Sequence, residues 1–150
     1  MTTPLDVSGH CYCGAITYAV SIPAGAAPIF TAYCHCDSCR RAHAAPLYHV
    51  VCVEKAQFTV TAGADQLVHF NKPGGTITRA FCGACGSRML NTFGPWRPRG
   101  REPLAFFPST LDESVQRELP ELLRPTHNNQ PDECVLDRAF LLQMLTADPA

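Results

Sequence analysis

Seven of the nine cysteines in this 150-residue chain fall into three tight clusters: Cys11 and Cys13, then Cys34, Cys36 and Cys39, then Cys82 and Cys85. Cysteines used only as small buried hydrophobes would scatter over core positions, so thiols gathered at one- and two-residue gaps point to shared metal ligation. In a reducing compartment such thiols serve metals or catalysis rather than disulfides. Cys52 and Cys134 stand alone and are expected to pack as apolar groups.

Each cluster has its own local chemistry. Phe81-Cys82-Gly83-Ala84-Cys85-Gly86 sets two thiols on a tight turn whose glycines can take positive φ, the pattern of a zinc knuckle. In Gly9-His10-Cys11-Tyr12-Cys13-Gly14 the two thiols would share one face of an extended strand, roughly 6.6 Å apart along it. Cys34-His35-Cys36-Asp37-Ser38-Cys39-Arg40-Arg41 combines both spacings near a helix start. Four thiolates at about 2.3 Å fill the tetrahedral shell of zinc and leave no place for substrate, whereas three leave one position open. A thiolate tripod is formally anionic, a weaker Lewis acid than a three-histidine site with more nucleophilic sulfur, which suits chemistry on sulfur better than water activation. Spacing alone leaves the pairing open, because Cys36 and Cys39 with Cys82 and Cys85 would form a conventional two-knuckle ribbon and strand Cys11, Cys13 and Cys34.

Around the middle cluster, an extended backbone would turn the His35 ring to the opposite face from its neighbouring thiols, making it a packing residue rather than a ligand. Asp37 or Ser38 is expected to cap a short helix beginning at Cys39. Arg40 and Arg41 have the fork geometry that matches carboxylates, or are solvated helix charges. His43, His49, His69 and His127 are scattered singly and receive no catalytic role.

Hydrophobic periodicity describes the rest of the chain. Ile16, Tyr18 and Val20 alternate with Thr17 and Ala19, and Ile29–Cys34, Leu47–Val53, Gln57–Thr61, Leu67–Phe70, Thr76–Phe81, Arg88–Thr92 and Leu104–Phe107 read as further strands between turn signals. A mainly β, single-domain antiparallel fold over residues 1–150 follows, with helices at Asp37–Ala44 and Asp132–Leu145. In the second of these, Leu136, Phe140 and Met144 recur every four residues, so one face packs on the sheet or serves a partner or homodimer contact. Ser114–Pro131, with three prolines and Asn128-Asn129, reads as an ordered loop. The formal net charge of -1 excludes the basic face that nucleic acid requires. Met1–Gly9 lacks the charged start and apolar stretch of a secretory signal, and no apolar run would span a membrane, so a cytoplasmic protein without membrane partners is expected.

Taken together and in this order, the three motifs resemble the glutathione-dependent formaldehyde-activating enzyme family, which includes centromere protein V. Gly9–Tyr18 is similar to its opening strand, Cys34–Arg41 to its central signature and Arg79–Ser87 to its knuckle, with weaker echoes at Phe58–Gly63 and Thr110–Asp112. The resemblance covers about residues 8–112 and leaves 113–150 divergent. It implies a β-tent fold with two zinc ions: a structural one on Cys11, Cys13, Cys82 and Cys85, and an open, catalytic one on Cys34, Cys36 and Cys39. It further implies a carbon–sulfur lyase that joins formaldehyde, or a related small aldehyde, to the thiol of glutathione or another thiol; only the seven cysteines transfer from the family, and the fork geometry of Arg40 and Arg41 is what suits them to the substrate's carboxylates. After Arg41 the family's usual small residues, with serine and glycine, give way to Ala42-His43-Ala44-Ala45, which alters the wall of the site. The alternative is a non-catalytic zinc-binding module, or one that senses metal or redox state, since accessible thiolates oxidise. A nucleic-acid or cytoskeletal role is disfavoured by the near-neutral charge.

Overall fold

A computed structural model of the chain describes residues 3–94 and 100–137. Its smaller sheet joins β1 (Leu5–His10), β2 (Thr17–Ile22) and β5 (Phe58–Ala62) in that order, all antiparallel. Its larger sheet has seven strands, in the order β10 (His127–Asn129), β3 (Phe30–Cys34), β4 (Tyr48–Glu54), β9 (Pro103–Phe106), β8 (Arg88–Phe93), β7 (Ile77–Cys82) and β6 (Leu67–Asn71). The chain is therefore mainly β, with two short helices, α1 (Asp37–His43) and α2 (Glu113–Arg117), among the described residues.

The central pair of the large sheet explains where the cores lie. Val50–Val53 in β4 and the whole of β9 are buried, which marks strands covered on both faces. Successive side chains point to opposite faces. Val51, Val53, Leu104 and Phe106 join Tyr18, Val20, Ile22 and Phe58 from the small sheet in the main core. Val50, Cys52 and Ala105 face the other way and pack with Ala32, Cys34, Cys39 and Phe107 in a second core. Tyr18 ties the two sheets, its ring 4.7 Å from Phe58 and 6.2 Å from Phe106. Each thiol cluster borders one core: Cys11, Cys82 and Cys85 lie at the main core, Cys34, Cys36 and Cys39 at the second.

Three expectations change. The polar N-terminus contributes a strand, β1, because Val7 and Gly9 turn inward while Asp6 and Ser8 face solvent. Residues 114–131 are more than a loop: α2 and a single 3-10 turn at Glu121–Leu123 surround the prolines, and Leu123 is fully buried in the main core. Asn128 and Asn129 then sit in β10, which runs parallel to β3, the exception to the antiparallel pattern. The expected helix at Asp132–Leu145 begins only as a 3-10 turn, Pro131–Glu133, that stops at Cys134 and leaves Val135 exposed. Its residues from 138 onward lie outside the described residues. Among the described residues no helix is long and apolar enough to cross a membrane.

Candidate functional site

The first group of thiols is assembled by two turns. β1 ends at His10, and Cys11–Gly14 folds back on itself: the Gly14 N–H donates to the Cys11 carbonyl at 2.9 Å and the Cys11 N–H to the Ile16 carbonyl at 3.0 Å. Gly14 adopts φ 77°, a conformation that favours glycine, so the expected extended strand gives way to a hairpin turn. On the knuckle side the Gly86 N–H reaches the Cys82 carbonyl at 2.8 Å, again with a left-handed glycine. The Sγ atoms of Cys11, Cys13, Cys82 and Cys85 consequently all lie within 4.8 Å of one another. Cys11 and Cys13 approach to 3.5 Å and Cys13 and Cys82 to 3.9 Å. Sulfurs at the corners of a zinc tetrahedron would stand about 3.8 Å apart given the usual zinc–sulfur bond, and the 3.5 and 3.9 Å approaches bracket that spacing, so this group suits the ion.

The protons on this group are unevenly held. Cys85 is pulled down to about 6, chiefly by the Ser87 hydroxyl, whose Oγ stands 3.2 Å from its sulfur. Cys13 receives the Ala15 backbone N–H, which lowers it, but its thiol neighbours Cys11 and Cys85 outweigh that and hold it up at about 11. Cys11 resists burial because the Ile16 N–H donates to its sulfur at 3.2 Å and Cys13 adds a second bond. Ser87 also accepts from the Tyr12 N–H at 2.9 Å, which clamps one turn to the other.

The second group is Cys34, Cys36 and Cys39, whose sulfurs also lie mutually within 4.8 Å. Cys34 closes β3, Cys39 sits in the first turn of α1, and Cys36 is the residue that caps that helix, its sulfur accepting from the Cys39 N–H at 3.3 Å. The helix therefore starts at Asp37 rather than Cys39, and the cap is a thiol rather than Asp37 or Ser38, since an extended Cys36 places its side chain over the first free N–H groups. Three further groups touch these sulfurs. The Tyr48 hydroxyl donates to Cys39 at 3.4 Å, the Asn129 amide to Cys34 at 3.6 Å, and Arg79 Nη2 lies 4.0 Å from Cys39. The bond from Cys34 lowers Cys39 against its burial, and Cys34 is raised in return. Tyr48 is pushed well up by burial and by the charge on Cys39, so its proton stays available to donate.

The other singled-out residues separate clearly. His35 is buried, with Nε2 3.0 Å from Asn128 Oδ1, and lies outside the thiol group. Arg40 is occupied, donating to the His35 carbonyl at 2.9 Å and pairing with Asp37. Arg41 faces a cavity of about 580 Å³ that also reaches Ser38, Lys72, Arg79 and Arg88. His43 stacks on Tyr48 at 3.9 Å and meets Phe107 edge-on. Cys52 is a fully buried core thiol pushed up to about 12 by that burial, whereas Cys134 is only half-buried. Sequence reasoning missed Tyr48, Asn129 and Arg79. Cations inside the expected strands Thr76–Phe81 and Arg88–Thr92 were the available signal for Arg79 and Arg88. Nothing in one-dimensional spacing brings Asn129 to Cys34, because their contact depends on β10 pairing with β3.

Fold and site define a small mainly β domain carrying two separate cysteine-thiol groups of metal-binding geometry. The model of the glutathione-dependent formaldehyde-activating enzyme family matches residues 6–125 of the chain, and the protein belongs to that family. A crystal structure of a Rhodobacter sphaeroides protein is similar in fold, with a TM-score of 0.55 and 23% identity over 77% of this chain and 96% of that one. No curated protein matches the sequence. The family match stops just before β10, so Asn128 and Asn129 come to the site from beyond it.

Proposed function

We propose that this protein is a zinc-dependent carbon–sulfur lyase that joins formaldehyde, or a related small aldehyde, to the thiol of glutathione or a similar thiol, and releases it in reverse. In the forward direction the thiol sulfur bonds to the aldehyde carbon, the carbonyl π pair passes to oxygen, and that oxygen takes up the proton the thiol gave away. Membership of a family named for glutathione-dependent formaldehyde activation supports this reading. The observation that carries the reading is the contrast between the two thiol groups: four sulfurs in one, and three in the other, where Asp37, Ser38 and Arg79, next to the thiols, line a cavity that the sulfurs themselves do not.

Cys11, Cys13, Cys82 and Cys85 would hold a structural zinc, since four thiolates complete its shell. Cys34, Cys36 and Cys39 would hold the second ion. Bound there, zinc would supply an electrophilic position that favours thiolate over thiol in the incoming substrate. The chain's own groups then have separate tasks. Tyr48, held protonated, donates to Cys39 and tempers the charge of the tripod, while the Asn129 amide does the same at Cys34. Arg41 faces the substrate cavity, and Arg40, tied to Asp37 and His35, fixes the turn that carries Cys36 and Cys39. Cytoplasmic residence accords with the need to keep seven thiols reduced.

A second reading, metal or redox sensing, draws on Cys36, the one residue of the three-thiol group that is not buried. Exchange spectroscopy separates the two. The zinc-loaded protein is expected to speed the exchange of formaldehyde with its glutathione adduct at least ten-fold over buffer, and Cys36→Ser to return it to the buffer rate. Equal rates with and without the wild-type protein, across glutathione and other small thiols, would leave the sensing reading standing.

A further inference from the structure

The cavity beside the three-thiol group is short of acceptors. Arg79, from β7, is more than nine-tenths buried, and its Nε–H has no hydrogen-bond partner among the described residues. Arg88, at the start of β8, has buried Nε and Nη2 groups that also lack one among those residues. Their remaining contacts are modest: Arg79 Nη2 donates to Ser38 Oγ at 3.2 Å, and the Arg88 guanidinium lies 5.8 Å from the centre of the Phe81 ring. The carboxylate lining the same cavity, Asp37, is engaged by Arg40. Arg41 and Lys72 add two more cations to the lining.

Leaving a buried charged donor unpaired is costly, and two guanidinium groups near each other repel as well. Burial, with the charge of Arg79 added to it, makes the Arg88 charge harder to hold. A fold that retained both for packing would have supplied them with acceptors. A planar group with two oxygens, meeting the guanidinium forks in pairs, fills the deficit. Its location is informative too, because Arg79 lies 4.0 Å from Cys39 Sγ, so an anion held here stands within a few bonds of a sulfur at the thiol group.

We infer that Arg79 and Arg88 form the carboxylate-binding subsite for the thiol substrate, with Arg41 and Lys72 lining the same cavity. The inference rests on the lyase reading for the identity of the ligand, and on the unpaired guanidinium groups for the site itself. It moves specificity from the paired arginines after Cys39 to two arginines contributed by neighbouring strands of the large sheet. Thiols without a carboxylate, such as cysteamine, would bind poorly for want of this contact.

The test uses S-methylglutathione, whose sulfur cannot become a thiolate, and its diethyl ester, titrated calorimetrically into the zinc-loaded protein. The free acid is expected to bind wild type at least ten-fold more tightly than the ester, and Arg88→Gln to remove most of that difference without weakening the ester. Arg88 is the more exposed of the two and the safer variant; Arg79→Gln should act in the same direction. Equal binding of acid and ester to the wild type, or unchanged acid binding by Arg88→Gln, would overturn the subsite. Acid preference without any acceleration of formaldehyde exchange would sink the lyase reading and keep the subsite, and the opposite pattern would do the reverse.

Discussion

Tyr48 shows how a single side chain links the chemistry of the site to the packing around it. Its hydroxyl donates to Cys39 while its ring stacks on His43, which burial and the charges of Arg88 and Arg79 depress to about 4. A neutral His43 keeps a further cation away from a wall that already carries two arginines. The sign of the pH effect follows. Unfolded, His43 gains a proton below about 6.5; folded, it stays neutral down to about 4, so its contribution to stability is present above 6.5 and lost as pH falls towards 4. Replacing it by phenylalanine preserves the stack and removes the titration. The melting temperature of His43→Phe, measured relative to wild type, should therefore rise between pH 7.5 and pH 5, and a constant difference would contradict this. At Tyr48 itself, phenylalanine should retain the fold and lower the exchange rate, read by the same spectroscopy, by roughly three- to ten-fold, the loss of one hydrogen bond worth about 1 kcal/mol.

At the scale of elements, turns rather than strands carry the site, and this governs how much of it was legible. The knuckle around Cys82 and Cys85 could be read directly, because Gly83 and Gly86 flank thiols at turn spacing. The strand periods of Tyr18, Val20 and Ile22 and of Val51 and Val53 could also be read, since alternation is a local property and both sets face one core. Cys11 and Cys13 looked like strand residues because one-residue spacing suits a strand as well as a turn; the left-handed Gly14 decided between them. β10 was invisible for a different reason: three exposed polar residues have no pattern of their own, and only pairing with β3 makes them a strand. Close approach between elements is tight at Gly9, where an added Cβ would lie 2.4 Å from the Thr110 carbonyl and 2.5 Å from the Tyr18 hydroxyl oxygen. Gly9→Ala should accordingly cost about 1–3 kcal/mol by overpacking, read from urea denaturation. A change within 0.5 kcal/mol would mean that β1 can pull away from Tyr18 at no cost.

For the whole molecule, the large sheet acts as a partition, with one core and one thiol group associated with each face of its central strands. The four-thiol group joins the β1–β2 turn to the β7–β8 turn and so ties the small sheet to the large one. The three-thiol group joins the end of β3 to α1 and leaves a cavity beside it. The C-terminal segment belongs to the same body through Leu123, so Leu123→Ala should destabilise the whole protein by about 2–5 kcal/mol in a single transition. A separate early transition would instead show residues 113–129 to be an independent appendage. The division of labour between the two thiol groups is tested most directly by native mass spectrometry of the protein during titration with a mild chelator. Two zinc ions are expected at the start, with the first lost while the charge-state distribution stays folded and the second lost only as the protein unfolds. A single tightly held zinc, or two lost together with unfolding, would contradict an open site at Cys34, Cys36 and Cys39.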